Sequence, residues 1–424
     1  MTDKPHDTTQ PPNVRVIGRP GSATAYKIRD YLQRSDVPFV WVELDSDEQA
    51  RTVGGVNDLH DARLPVCVFP DGTRMDCPTI RQITEKLGWF RSPSLSEYDL
   101  AIYGAGPAGL SAAVYGASEG LKTVVIERSA VGGQAGTTSK IENYLGFPKG
   151  IAGADLAERA REQARRFGAE FLLSREGVGG QFLPGKTVGD LADGTKIIAR
   201  SAICATGVQY RRLNLANEQE FFGAGLYYGA GVSEAALCGN DGVIIVGGGN
   251  SAGQAAMNLS GFAKTVTIVI RGDSLKSTLS SYLIDRINAA SNVKVLCNTD
   301  VTELHGGATL QSVTLTNNKT RERQTLTTKG LFICIGGVPQ TDWAAQVGIM
   351  RDEAGYLVTG PDMWKEGHLP GSWPLERQPY YLETNIPGMF AAGDVRHGAV
   401  KRCAAAVGEG AMAVTFVHRY LADT

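Results

Sequence analysis

"LAIYGAGPAGLSAA" at 100–113 and "VIIVGGGNSAGQAA" at 243–256 repeat one order: an apolar strand, a glycine turn, then a helix of small residues. Glycine in such a turn permits a tight bend, close backbone approach to a pyrophosphate, and close packing of helix on strand. The helix N-terminus adds partial positive charge where phosphates would lie. In the first turn Gly104, Gly106 and Gly109 keep the GxGxxG spacing, with Pro107 and Ala108 between the last two. The next strand, "TVVIER", ends in Glu127, a carboxylate able to accept from both hydroxyls of a ribose. The second turn is Gly247, Gly249 and Ala252, and its following strand, "TVTIVIRG", ends in Arg271 with no acidic residue at the tip. Arg271, helped by Lys276, suits a 2′-phosphate better than a free hydroxyl, which favours NADPH over NADH. Two dinucleotides on one chain point to hydride transfer from a nicotinamide to a flavin, and hence to two domains closing on each other.

Around these turns the chain reads as a globular α/β protein. Its 424 residues, 42% of them hydrophobic, suffice for two or three cores. A net charge of -2 without a basic block argues against a nucleic-acid partner. No run is long enough to span a bilayer, and the polar, Pro-containing start lacks the apolar core of a signal peptide, so a cytoplasmic location and no membrane partner are expected. Seven cysteines without a CxxC or CxC argue against a secreted disulfide framework and against a zinc site. Residues 1–13 should be a disordered tail. Residues 14–92 form a small α/β unit: "VRVIGR", "FVWVEL" and "VCVF" as strands, "SATAYKIRDYLQRS" and "TIRQITEKLGW" as helices. The linker "RSPSLSE" leads to the larger region, and "TGPDMWKEGHLPGSWPLERQPYYLET" (359–384) reads as a long structured loop.

The stretches "GAGPAGLSAAVYGAS", "GGQAGTTSKIENYLGF", "CATG" at 204–207, "VGGGNSAGQAA", "CIGGVPQTD" and "ETNIPGMFAAGDVRHGAVKR" together resemble the low-molecular-weight thioredoxin reductase family of FAD flavoproteins, over residues 97–420. The resemblance implies two Rossmann-like three-layer α/β domains: an FAD domain in two pieces, 97–212 and 338–424, and an NADPH domain, 213–337, inserted between them. It implies a homodimer. By the same carry-over, Gly106 to Gly109, Glu127 and Arg128 should hold the ADP half of FAD, while Gly133, Gln134, Asn143, Thr206 and Gly207 should lie along its pyrophosphate and flavin. Gly393 and Asp394 should meet the ribityl chain, and Lys401, Arg402 and Cys403 should border the isoalloxazine. A helix opening at "VGEGAMA" would aim its positive end at the flavin. For NADPH the resemblance names Gly249, Asn250, Ser251, Arg271, Lys276 and Gly336; Gly272, where a second arginine would be expected, should weaken the preference over NADH.

Two departures bear on function. The family's redox CxxC falls here within Gly229 to Ser233, "GAGVS", which holds no thiol, and Cys238 stands several residues on. The N-terminal unit resembles a glutaredoxin, a thioredoxin-like fold, with Leu64-Pro65-Val66 at the cis-proline position, yet Ser22 to Ala25 occupy its CxxC position. Without a thiolate such a domain cannot exchange disulfides. Cys67 and Cys77 flank a hairpin turn at Asp71-Gly72, with unpaired thiols favoured over a cross-strand bridge. The leading expectation is an NADPH-dependent FAD oxidoreductase whose electron acceptor, unknown from sequence, is not a CxxC relay. The alternatives are ferredoxin-NADP reductase-type electron transfer, a flavin or NADPH sensor without turnover, and a small-disulfide reductase using an isolated thiol such as Cys403. No catalytic side chain is singled out.

Overall fold

Val14–Gly18 (β1) buries four of its five residues, and the helix that follows, Ala23–Arg34 (α1), sets Ala25, Ile28, Tyr31 and Leu32 toward the same core. The computed structural model describes residues 13–35, 37–138, 140–229, 241–364, 368–371 and 373–424. Ser22 caps α1, its side chain accepting from the Ala25 N–H, which satisfies one of the donors a helix start leaves open. Phe39–Glu43 (β2) pairs parallel to β1. Val66–Val68 (β3) and Arg74–Asp76 (β4) continue the sheet antiparallel, giving the order β2-β1-β3-β4, and the Leu64–Pro65 peptide is cis. A Thr79–Gln82 capping box starts Ile80–Lys86 (α2). In the β3–β4 hairpin Cys67 faces Met75 rather than Cys77, and both thiols are free.

The second unit is built on a parallel run through Tyr98–Tyr103 (β5), Thr123–Glu127 (β6) and Glu170–Leu173 (β7), with Pro107–Ser118 (α3) and Gly153–Arg166 (α4) as crossovers. Gly177–Leu183 (β8), Lys186–Leu191 (β9) and Lys196–Cys204 (β10) add an antiparallel meander, with β10 returning parallel to β5. Gln209–Tyr210 (β11) leaves this unit. Leu226–Tyr228 (β12), Gly242–Val246 (β13), Thr265–Val269 (β14) and Val293–Leu296 (β15) belong to a third, five-stranded parallel sheet, with Asn250–Leu259 (α5) and Ser281–Ala289 (α6) beside it. An antiparallel sheet of Thr299–Gly306 (β16), Leu310–Asn317 (β17) and Arg323–Thr327 (β18) precedes Gly330–Ile333 (β19), which lies between β12 and the central strand β13. Gly337–Val338 (β20) pairs with β11, so the two links between the units run side by side. Met389–Ala391 (β21) then joins β10, and Cys403–Asp423 (α7) packs on α3.

One helix start differs from expectation. α7 opens at Cys403, one turn before "VGEGAMA", because the alanines at 404–406 already support helix. The glycines in that segment serve packing instead: a Cβ at Gly410 would collide with the Ala108 carbonyl of α3. Much of the expected tail, residues 1–12, lies outside the described residues, as do residues 230–233 of the "GAGVS" stretch, Cys238, and positions 365–367 and 372 of the long loop. Elsewhere that loop is fastened by Arg377, which donates to both oxygens of the buried Glu383, at 2.7 and 2.9 Å. Among the described residues no helix is long and apolar enough to cross a membrane.

Candidate functional site: a cleft shared by two glycine turns

The first turn is set by backbone crowding. Gly104 has φ +105, and a Cβ there would strike the Ala205 carbonyl. Gly109 lies so close beneath it that a Cβ would collide with the Gly104 carbonyl oxygen. Gly106 is the N-cap of α3 with Pro107 in the first turn, and its Cβ position is open except for Gly133 Cα at 3.9 Å. That gap between two facing glycines is room for a group that needs backbone contact on both sides. Glu127, 9% exposed, accepts from the Ala105 N–H through one carboxylate oxygen and the Ser129 N–H through the other, both at 2.8 Å. Each oxygen keeps a second lone pair for a ribose hydroxyl.

A cleft of about 930 Å³ runs from this turn to the second. It is lined by Gly104, Gly106, Pro107, Ala108, Glu127 and Arg128 of the first turn and strand tip, and by Gly133, Gln134, Asn143, Thr206 and Gly207 beyond them. Gly393, Asp394, Lys401, Arg402 and Cys403 line it from the C-terminal piece, and Asn250 and Ser251 from the helix start of the second turn. Gly109 lies under the turn; Gly249, Arg271, Lys276 and Gly336 do not line the cleft. Arg271 and Lys276 are exposed at the tip beyond β14. Asn250 is fixed by two bonds with Ser280, donating to its hydroxyl and accepting from its N–H, both at 2.8 Å. Gly247, at φ +136, lies against the Cys334 carbonyl as Gly104 lies against that of Ala205.

The electrostatics follow from burial. Asp394 titrates above the usual carboxylate range because burial outweighs the nearby Lys401 ammonium. Lys401 donates to the Asp394 carbonyl at 2.7 Å, sits 4.3 Å from the Tyr356 ring centroid, and is pushed down by its own desolvation. Burial, with Asp394 nearby, pushes the Cys403 thiol up to about 11, so it is a neutral thiol at physiological pH. Sequence reasoning missed Glu409, which accepts from the Gly393 N–H at 2.7 Å and the Arg396 guanidinium at 2.6 Å and so holds the Asp394 turn. A lone carboxylate in an otherwise small-residue helix segment was its only signal. It also missed Arg34, which reaches the cleft from the N-terminal unit. Among the described residues no His, Cys, Asp and Glu cluster could hold a metal.

Two glycine turns of dinucleotide type opening on one cleft define a two-cofactor oxidoreductase. Residues 98–410 match the family described as pyridine nucleotide-disulphide oxidoreductase, and the chain belongs to it. A thioredoxin reductase of Listeria innocua is 36% identical over 328 residues, covering 77% of this chain and 94% of the relative. Among solved structures, Lactococcus lactis thioredoxin reductase superposes with a TM-score of 0.68 at 31% identity, covering 77% of this chain and 100% of that one. Thioredoxin reductase of T. acidophilum gives 0.67 at 29% identity, covering 77% and 99%. The chain is therefore an NAD(P)H-dependent FAD oxidoreductase with Rossmann-like α/β sheets, and its cofactors are FAD and NADPH. The glycine gap at Gly106 and Gly133 and the remaining lone pairs of Glu127 fit the ADP half of FAD.

Proposed function

We propose that this protein passes electrons from NADPH through FAD to an acceptor other than a CxxC disulfide relay. The observation that carries the reading is the single cleft onto which both glycine turns open, beside a sequence with no thiol pair at either position where the resemblance expects one. The chemistry FAD supplies when bound is acceptance of a hydride from the nicotinamide and release of the electron pair onward. The chain's own residues do the positioning. Gly106 to Gly109 and Glu127 hold the ADP half, Asp394 accepts from a ribityl hydroxyl, and Asn250 and Ser251 at the α5 N-terminus receive the NADPH phosphates. Arg271 and Lys276 meet the 2′-phosphate.

Residues 14–92 are read as a degenerate glutaredoxin-like domain, supported by the order β2-β1-β3-β4 and by Ser22 serving as helix cap where the first cysteine would stand. The FAD domain comprises 97–212 and 338–424 and the NADPH domain 213–337; the protein acts as a cytoplasmic homodimer. A one-electron protein such as a ferredoxin is the first acceptor class to test. The isolated-thiol alternative is disfavoured by the raised titration of Cys403. The test is an anaerobic titration with NADPH and then NADH, following the visible flavin band. Rapid bleaching by NADPH in preference to NADH is expected, and a bound flavin that neither nucleotide reduces would overturn the reading in favour of a sensor.

A further inference from the structure

The matched family region begins at residue 98, so whatever the N-terminal unit does to the cofactor site is added to the family's machinery. Helix α1 spans from one nucleotide unit to the other. Near its start, Tyr26 packs on Phe222 and Tyr227, with ring centroids 5.8 and 5.3 Å away. At its last residue, Arg34 donates through Nη2 to the Ala130 carbonyl at 3.3 Å and to the Gly133 carbonyl at 3.1 Å. Asp30, one turn earlier, pairs with its Nη1 at 3.4 Å. The Arg34 side chain is 14% exposed and lines the cleft, and its Nε is buried without a hydrogen-bond partner among the described residues.

The segment it grips is the glycine loop facing the first turn. Ala130, 1% exposed, is packed into the core of the N-terminal unit with Ile28, Tyr31 and Leu32. Gly132 and Gly133 follow with φ +103 and +55, left-handed backbone that favours glycine, so neither has a side chain to hold it; the Gly132 N–H donates to the Ala105 carbonyl at 2.8 Å and the Gln134 side-chain amide to the Val208 carbonyl at 2.6 Å. A peptide group is planar and trans, so its C=O and N–H point opposite ways. Holding the Gly133 carbonyl on Arg34 therefore turns the Gln134 N–H away from Arg34. Gly133 itself stands across from Gly106, where a Cβ would come within 3.1 Å of the Gly106 Cα.

We infer that Arg34 of the N-terminal unit is a positioning residue for the FAD pyrophosphate: it fixes the Gly133–Gln134 peptide opposite Gly106 and adds a permanent cation to that end of the cleft. This rests on the reading of the first turn as the FAD site. It gives the N-terminal unit a role needing no thiol, which is flavin retention. Arginine suits the task because one planar fork reaches two carbonyls and a carboxylate while staying charged.

The test uses the full-length chain, stripped of flavin and titrated with FAD by fluorescence quenching, with the visible spectrum of the bound flavin as second readout. Arg34→Ala and Arg34→Gln are expected to weaken FAD binding by about tenfold or more, the loss expected for charge-assisted bonds. Arg34→Lys, which keeps the charge without the fork, should recover part of the affinity. Tyr26→Ala, whose ring partners lie in the other nucleotide unit, should bind FAD as the wild type does. A flavin band displaced in the Arg34→Ala and Arg34→Gln variants but not in Tyr26→Ala separates positioning from attachment. Wild-type affinity in Arg34→Ala and Arg34→Gln overturns the inference, as does an equal loss in Tyr26→Ala. If Arg34→Ala does not fold, the Gln and Lys variants decide alone. A wild-type chain that takes up no FAD would instead sink the reading of the site.

Discussion

The two glycine turns share a spacing and differ in how much of their specificity is enclosed. At the first, the strand-tip residue Glu127 is buried and its carboxylate already holds two backbone N–H groups of the turn. At the second, Arg271 is exposed beyond the strand end, tied to its surroundings by its carbonyl, which accepts from Asn318 at 3.0 Å. The third position differs as well. Gly109 admits no Cβ beneath Gly104, whereas its counterpart Ala252 carries one and is only 1% exposed. The first turn is thus built as part of the fold, and the second as a frame whose selectivity sits on its rim. A cofactor that stays with the protein suits the former, and a substrate that comes and goes suits the latter.

The largest expected effect is at that third position. Gly109→Ala forces α3 off β5 and should cost about 3 kcal/mol, the upper end for overpacking a tight contact, with loss of bound flavin. Ala252→Gly, the reverse change at the second turn, should cost about 1 kcal/mol as a helix substitution and leave flavin content alone. Thermal unfolding and the flavin-to-protein absorbance ratio measure both. Full flavin content in Gly109→Ala would erase the contrast.

The strand tips come next. Glu127→Ala leaves the N–H of the buried Ala105 without its acceptor, a penalty of about 1–3 kcal/mol, and should lower stability and FAD affinity together. Arg271→Ala should do neither. Its expected effect is a fall in the NADPH over NADH preference, in kcat/KM, of about fivefold, the upper end for an exposed ion pair. An unchanged coenzyme ratio would move 2′-phosphate recognition away from Arg271.

How much of this was legible in the chain follows the distance over which each contact acts. Gly104, Gly106 and Gly109 announce a turn because the collisions that require glycine occur within a few residues or against the adjoining strand. Ser22 and Thr79 announce helix starts for the same local reason. Gly410 announces nothing, because its constraint is the Ala108 carbonyl of α3, about three hundred residues earlier. Arg34 is the extreme case. Its partners lie 96 and 99 residues on, and on its own helix it reads as an ordinary basic residue in the last turn.

The smallest expected effect concerns the thiols, and it compares the two sites again. Cys334 lies beneath the second turn and Cys403 at the start of α7, and both line the cleft; burial pushes the Cys334 thiol up to about 12 and, with Asp394 adding to it, the Cys403 thiol up to about 11. Both groups are raised, so the reactive thiolate is the minority form below those values and gains about tenfold per pH unit as pH rises toward them. Cys77, exposed in the β4 hairpin region, should therefore be carbamidomethylated by iodoacetamide at pH 7.5 well before either. Peptide mapping by mass spectrometry, with the reaction repeated at pH 9, measures the order. Fast labelling of Cys403 at pH 7.5 would mean a thiolate stabilised beside the flavin and would return the isolated-thiol mechanism to contention. Slow labelling, faster at the higher pH, leaves electron transfer from the flavin to an acceptor at the open cleft, without Cys334 or Cys403 between them.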